Sequence, residues 1–139
     1  MVPWAGYHIF KNKNMSAARF SLLRVRRVPG GDGDPVDVMV LCSQPLHPGV
    51  MVNVVPIGML EMEDESGVDA KVVAVPSEKS DPYFGWMKDV SDIPEPTKQK
   101  IKHFFEHYKE LEPGKWVKLK DWKGKSVAEK EITDGISHA

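Results

Sequence analysis

The apolar residues in the middle of the chain follow the pattern of three consecutive strands. Residues 36–42 are almost all apolar, as in a strand covered on both faces. Residues 50–60 are rich in β-branched side chains, and Pro56 and Gly58 within them predict a bulge or bend. Residues 68–75 follow a short acidic turn, so they are predicted to form a hairpin with the preceding strand.

One long helix is predicted after a connector rich in Pro, Ser and Asp over residues 76–94. Asp92 stands where an N-cap is expected, and Glu95 completes a capping box with it. Apolar side chains then recur at helical spacing and form one stripe. The stripe consists of Ile101, Phe104, Phe105, Tyr108 and Leu111. Pro113 and Gly114 predict the end of the helix.

The remaining elements complete a prediction of the fold class. Residues 115–122 alternate between polar and apolar and predict a short strand, and residues 126–132 are partly helical in pattern. The length of 139 residues fits one domain. Several strands with one long helix late in the chain predict a mainly β or α+β fold, as a small barrel or a sheet with helices packed outside.

Charge is distributed unevenly along the chain. The formal net charge is only -1, yet residues 1–31 contain lysines and arginines and no acid. This composition is typical of a mitochondrial presequence or of a solvated basic arm. The arm carries no recognisable nucleic-acid-binding module, and no apolar run is long enough to cross a membrane. We therefore expect neither a nucleic-acid partner nor a membrane partner.

The single cysteine, Cys42, stands among apolar residues and cannot form an internal disulfide. A small buried side chain and a reducing compartment are the corresponding predictions. We predict a cytoplasmic location, with a mitochondrion or another organelle as the alternative if the basic arm is a transit peptide.

Acidic residues form two clusters at the ends of predicted strands. The clusters contain Asp32, Asp34, Asp37, Asp64 and Asp69. An EF-hand is excluded, because the sixth position counted from Asp32 is Asp37 rather than glycine and Pro35 interrupts the loop. Two interpretations stay open at this point: incidental acids in capping turns, or a site of hard oxygen ligands that would favour Mg²⁺. Lys71 shares a strand face with Asp69. Either the two residues form a surface ion pair, or Lys71 supplies a positive charge to an anionic substrate.

The predicted helix carries a second candidate for chemistry. His103 and His107 fit the pattern H-x-x-E-H of some zinc peptidases, but they lie opposite the apolar stripe and no third ligand is specified. Tyr108 places a hydroxyl at the end of the stripe and Lys109 follows it. These two residues are either a tyrosine at the edge of the core with a solvated lysine, or contacts for a ligand.

Four segments taken together resemble the soluble family I inorganic pyrophosphatases. The segments are DGDPVDV at 32–38, EDESGVDAKVVAVP at 63–76, KDVSDIP at 88–94 and HFFEHYKELEPGKWVK at 103–118. The resemblance covers about residues 32–122. It implies a five-stranded OB-like barrel with flanking helices, which hydrolyses inorganic diphosphate to two phosphates with several Mg²⁺ ions. It also implies a homo-oligomer.

The resemblance implies roles for eight side chains. Four carboxylates are implied to bind metal: Asp32, Asp37, Asp64 and Asp69. Four other side chains are implied to act on water or phosphate: Asp34, Lys71, Tyr108 and Lys109. Among these, Asp34 would help to deprotonate the attacking water, and the other three would contact phosphate oxygens. The metal at Asp64 would arrive with the substrate.

The resemblance implies an incomplete barrel. Within residues 1–31 we find no counterpart of the lysine, glutamate, arginine and tyrosine that the family places upstream. We therefore divide the chain into a basic arm (1–31), the C-terminal two-thirds of a pyrophosphatase domain (32–125), and a C-terminal helix and tail (126–139). With N-terminal strands missing or replaced, we expect open sheet edges and low stability. The alternative is that the chain is a truncated pyrophosphatase remnant, catalytically impaired or inactive, with a binding or structural role.

Overall fold

The computed structural model describes residues 20–29, 35–46 and 52–137. Six strands and three helices lie in these ranges. The strands are β1 (Phe20–Pro29), β2 (Pro35–Leu41), β3 (Val54–Asp64), β4 (Gly67–Val68), β5 (Lys71–Pro76) and β6 (Val117–Gly124). The helices are a short 3₁₀ helix (Val90–Asp92), α1 (Glu95–His107) and α2 (Lys125–Ser137).

The described strands form one mixed sheet in the order β1-β2-β5-β3-β4, with β6 also paired to β3. Only the β2–β5 pair is parallel among the pairings described, and the others are antiparallel. The prediction of an α+β fold is confirmed. The barrel that the resemblance implies is not closed: the described strands pair as an open sheet in which β1 bonds only to β2, in agreement with the expected open sheet edges.

Strand β1 lies inside residues 1–31, the predicted basic arm. It pairs antiparallel with β2 from Phe20 opposite Leu41 to Arg24 opposite Asp37. The sequence carries a signal for this strand, since Leu23, Arg24, Val25 and Arg26 alternate between apolar and charged residues. The rest of the predicted arm, residues 1–19 and 30–31, lies outside the described residues.

The bulge predicted at Pro56 and Gly58, which lie in β3, is confirmed. The pairing of β3 with β5 shifts register between Pro56 and Gly58. A Cβ atom added at Gly58 would lie 2.7 Å from the Val90 Cβ and 2.8 Å from the Lys123 carbonyl oxygen. The glycine therefore allows β3, β6 and the 3₁₀ helix to approach one another closely.

Replacing Gly58 with alanine is expected to lower the free energy of unfolding by about 1–3 kcal/mol, because the backbone of β6 must move to admit the methyl group. Urea denaturation of the purified variant measures the loss. Ser126→Ala, on the exposed side of α2, adds no such contact and serves as the control. Equal midpoints for Gly58→Ala and the unmodified chain would contradict the close approach.

The long helix begins later than its sequence signal predicts. Asp92 does not cap α1, whose N-cap is Pro94. Its carboxylate instead accepts hydrogen bonds from the backbone N–H groups of Lys88 (2.8 Å) and Asp89 (3.1 Å), within the capping box of the 3₁₀ helix. Acidic side chains bond readily to nearby backbone, so the same residue type suits either helix.

The end of the helix also differs from the prediction. Helix α1 ends at His107 with Tyr108 as its C-cap, and Leu111 beyond it is 92% exposed. Leu111 therefore does not belong to the buried stripe, whereas Ile101 and Phe105 are fully buried. The residues between Tyr108 and β6 continue as successive turns, which places Lys109 outside the helix.

Apolar side chains are buried on both faces of the sheet. Val36, Val38 and Val40 of β2 share one cluster with Ala128 and Ile132 of α2. The alternate residues of β2 share a second cluster with Ile101 and Phe105 of α1. Burial on both faces explains the continuous apolar runs, and strand alternation puts the odd-numbered side chains of β2 and β5 on the α1 side. Cys42 is buried as predicted, and burial raises the pKa of its thiol.

Candidate active site

The parallel pairing of β2 and β5 brings the first two charged groups together. Asp37 lies directly opposite Lys71 in this register. The Lys71 ammonium contacts the Asp37 carboxylate at 2.6 Å and the Asp69 carboxylate at 2.5 Å. One ammonium therefore holds two carboxylates, one from β2 and the other from just before β5.

Lys71 is almost completely buried, with 3% of its surface exposed. Burial by itself lowers the pKa of a lysine, but the attraction of Asp37 and Asp69 outweighs it, and the pKa of Lys71 lies above its ordinary value. The side chain therefore keeps its charge at neutral pH. A buried charge of this kind is tolerated only because carboxylates pair with it.

A second ion pair forms where β3 ends. Asp64 is the last residue of this strand, and its Oδ1 accepts the N–H of Ser66 at 2.8 Å. Its Oδ2 lies 2.5 Å from the ammonium of Lys109, which follows α1. Burial would raise the pKa of Asp64, but the hydrogen bonds from Lys109 and Ser66 lower it below its ordinary value. The pKa of Lys109 is raised by the same partner despite burial.

Tyr108 lies close to both ion pairs. Its ring packs on those of Phe104 and Phe105, with centroids 5.4 and 5.5 Å away. The Lys109 ammonium lies 5.5 Å from the centroid of the Tyr108 ring. Burial raises the pKa of the phenol, while the charges of Lys71 and Lys109 act in the opposite direction and only partly offset it. The hydroxyl is therefore protonated at neutral pH and close enough to both lysines to respond to their charge.

Six of the eight residues singled out in the sequence thus lie close together, at one end of the face of the sheet that α1 covers. They are Asp37, Asp64, Asp69, Lys71, Tyr108 and Lys109. Asp32 and Asp34 lie outside the described residues. Within the described ranges no group of three or more His, Cys, Asp or Glu side chains is arranged to hold a metal ion.

Sequence reasoning missed one charged residue next to this set. Glu65, in the turn after β3, lies 3.8 Å from the Lys109 ammonium and 3.3 Å from that of Lys115. From sequence alone, the EDES run that contains it predicts only an acidic turn. The signal that could have found it is the adjacency to Asp64 combined with two lysines after the helix.

The two histidines of the H-x-x-E-H pattern lie away from this set, on the exposed side of α1. The His107 Nδ1 is hydrogen-bonded to the His103 carbonyl oxygen at 2.8 Å, and the two rings stack with centroids 4.3 Å apart. Among the described side chains no third ligand joins them. The geometry gives the zinc interpretation no support.

Comparison with known proteins gives a consistent result. The sequence model of a family described as inorganic pyrophosphatase matches residues 10–139, and so includes strand β1. The chain is 55% identical over 107 residues to the inorganic pyrophosphatase of Aquifex pyrophilus, a match that covers 77% of this chain and 60% of that protein. It is 56% identical over 105 residues to that of Aeropyrum pernix, covering 76% and 60%.

Solved structures of inorganic pyrophosphatases are similar to this chain in fold as well as in sequence. The inorganic pyrophosphatase of Helicobacter pylori superposes with a TM-score of 0.84 at 41% identity, over 91% of this chain and 74% of that chain. The enzyme from Thermus thermophilus gives 0.80 at 43% identity, over 85% and 68%. The chain spans about 60% of the length of the curated relatives from Aquifex and Aeropyrum.

Proposed function

Because this chain belongs to the inorganic pyrophosphatase family, we propose that it hydrolyses inorganic diphosphate to two phosphates in the presence of Mg²⁺. The observation that carries the proposal is the meeting of Lys71 and Lys109 with three carboxylates beside a protonated tyrosine. Ammonium groups suit the oxygens of a highly charged phosphate, and carboxylates suit the divalent cations that accompany it.

Asp37, Asp64 and Asp69 would hold the metal, with Asp32 as a further ligand from outside the described residues. Their oxygens are the hard donors that Mg²⁺ prefers. Asp37 and Asp69 already share one positive charge, that of Lys71, so their oxygens lie close to each other. When bound, Mg²⁺ supplies charge neutralisation and lowers the pKa of coordinated water.

The other side chains would bind and orient the phosphates. Lys71 and Lys109 remain protonated, so each would contact a phosphate oxygen with full charge. The Tyr108 hydroxyl would donate a hydrogen bond to an oxygen that gains charge as the bond to phosphorus breaks. From the family resemblance we assign Asp34 the role of helping to deprotonate the attacking water.

We further propose a cytoplasmic homo-oligomer, with an organelle as the alternative location. The buried free thiol of Cys42 supports a reducing compartment. The helices in the described ranges are too short or too polar to span a membrane. The oligomer rests on the family resemblance alone.

Removing the metal tests the proposal. Purified protein is expected to release phosphate from diphosphate with Mg²⁺ and to lose this activity when the metal is chelated by EDTA. Added Mg²⁺ should restore it, and p-nitrophenyl phosphate, which carries less charge and has no diphosphate bridge, should be hydrolysed far more slowly. Absence of phosphate release at any Mg²⁺ concentration would refute the proposed function.

A further inference from the structure

Asp64 has two partners in this structure, and one of them competes with a metal. Its Oδ1 accepts the Ser66 N–H, and its Oδ2 is paired with the Lys109 ammonium at 2.5 Å. A divalent cation bound at Asp64 would repel this ammonium, because two positive charges within about 4 Å of each other disfavour one another strongly in a partly buried site. Binding of the cation therefore weakens the pairing of Lys109 with Asp64 and favours another partner for the ammonium.

The next carboxylate available to Lys109 is that of Glu65. Its Oε1 lies 3.8 Å from the Lys109 ammonium in the present arrangement, in which Asp64 is still the closer partner. The two carboxylates belong to consecutive residues, the last of β3 and the first of the following turn, and lie 2.5 and 3.8 Å from the ammonium, so it can shift between them by side-chain rotation alone. No movement of α1 is needed.

Glu65 is held in place by the far end of the segment that carries Lys109. Its Oε1 lies 3.3 Å from the Lys115 ammonium, and its Oε2 accepts the Trp116 N–H at 3.4 Å. Only 25% of its side chain is exposed, compared with 39% for Glu63, two residues earlier on β3. The turns that run from His107 to Lys115 are thereby closed across the end of β3.

We propose that Glu65 is a positioning residue, which retains the Lys109 ammonium beside the site when a divalent cation takes Asp64. The inference rests on the proposed function, since it assumes that Asp64 receives a metal. Glu65 acts through Lys109 and itself touches neither metal nor phosphate. Lys115 and Trp116 fix its carboxylate for this purpose.

The Lys109 ammonium can be observed directly by a ¹H–¹⁵N correlation spectrum that selects lysine side chains, with Lys109→Met used for assignment. Mg²⁺ alone is the probe. We expect the Lys109 signal to persist on addition of Mg²⁺ in the unmodified protein and to broaden beyond detection in Glu65→Gln. The matched control is Glu63→Gln, which removes the same charge two residues earlier, where the native carboxylate pairs with Lys120 instead of Lys109. Identical Mg²⁺ titrations of the two variants would overturn the proposal.

Kinetics supply a second readout. Glu65→Gln should raise the KM for Mg-diphosphate roughly tenfold, as for other residues that orient a direct ligand, and should change kcat much less. In a Lys109→Met background the same substitution should have no further effect, because a positioning role exists only through Lys109. An equal loss in both backgrounds would show that Glu65 merely supports the turn, and would overturn the proposal.

The two experiments separate this inference from the proposed function. If the unmodified protein releases no phosphate yet Lys109 depends on Glu65 in Mg²⁺, the proposed function fails and the positioning role holds. If phosphate is released and Lys109 behaves alike in Glu65→Gln and Glu63→Gln, the function holds and the positioning role fails.

Discussion

Asp69→Ala is expected to lower Mg²⁺-dependent phosphate release about a hundredfold or more while the chain stays folded. A metal contributes several kcal/mol to stabilising a charged transition state, and losing about 3 kcal/mol of this corresponds to a hundredfold in rate. The fold should survive, because Lys71 keeps its second carboxylate partner, Asp37, at 2.6 Å. The measurement is the initial rate of phosphate release at a fixed diphosphate concentration.

The concentration of Mg²⁺ distinguishes a lost metal ligand from a lost partner of Lys71. If Asp69 binds metal, raising the Mg²⁺ concentration should recover part of the activity of Asp69→Ala. If the carboxylate only orients the lysine, the defect should be independent of Mg²⁺. Asp121→Ala, an exposed aspartate on β6, removes the same charge away from the site and is the control. Unchanged rates in Asp69→Ala would refute the metal assignment.

The sequence predicts the elements of this molecule better than their edges. Strands β2, β3 and β5 follow from runs of β-branched and apolar residues, because burial on both faces requires such runs. The start of α1 does not follow, since the Asp92 carboxylate bonds instead to the backbone N–H groups of Lys88 and Asp89, at the start of the preceding 3₁₀ helix. Local propensity cannot choose between two neighbouring caps.

The site shows the same division between local and long-range information. Asp69 and Lys71 are two residues apart, so their shared face was predictable from strand alternation. The pairing of Asp64 with Lys109 spans 45 residues and depends on where α1 ends against β3. No local pattern encodes a contact across this sequence separation. Only the family resemblance predicts that the two residues lie in one site.

Lys71→Met is expected to lower the free energy of unfolding by about 3–5 kcal/mol, the usual result of removing one member of a buried ion pair. Methionine replaces the apolar stem of the lysine but leaves Asp37 and Asp69 close together without the ammonium. Denaturation in EDTA measures the loss. Lys120→Met is the control, because this lysine on β6 is 40% exposed and its pair with Glu63 contributes about 1 kcal/mol or less.

The response of this variant to Mg²⁺ tests whether the two carboxylates form a cation site. Without the ammonium, a divalent cation can supply positive charge between the two carboxylates. A ligand that binds only the folded state stabilises that state more the higher its affinity. Mg²⁺ should therefore raise the Tm of Lys71→Met more than that of the unmodified protein, although phosphate release is lost with the lysine. An equal or smaller rise in the variant would mean that Asp37 and Asp69 are gathered for Lys71 rather than for a metal.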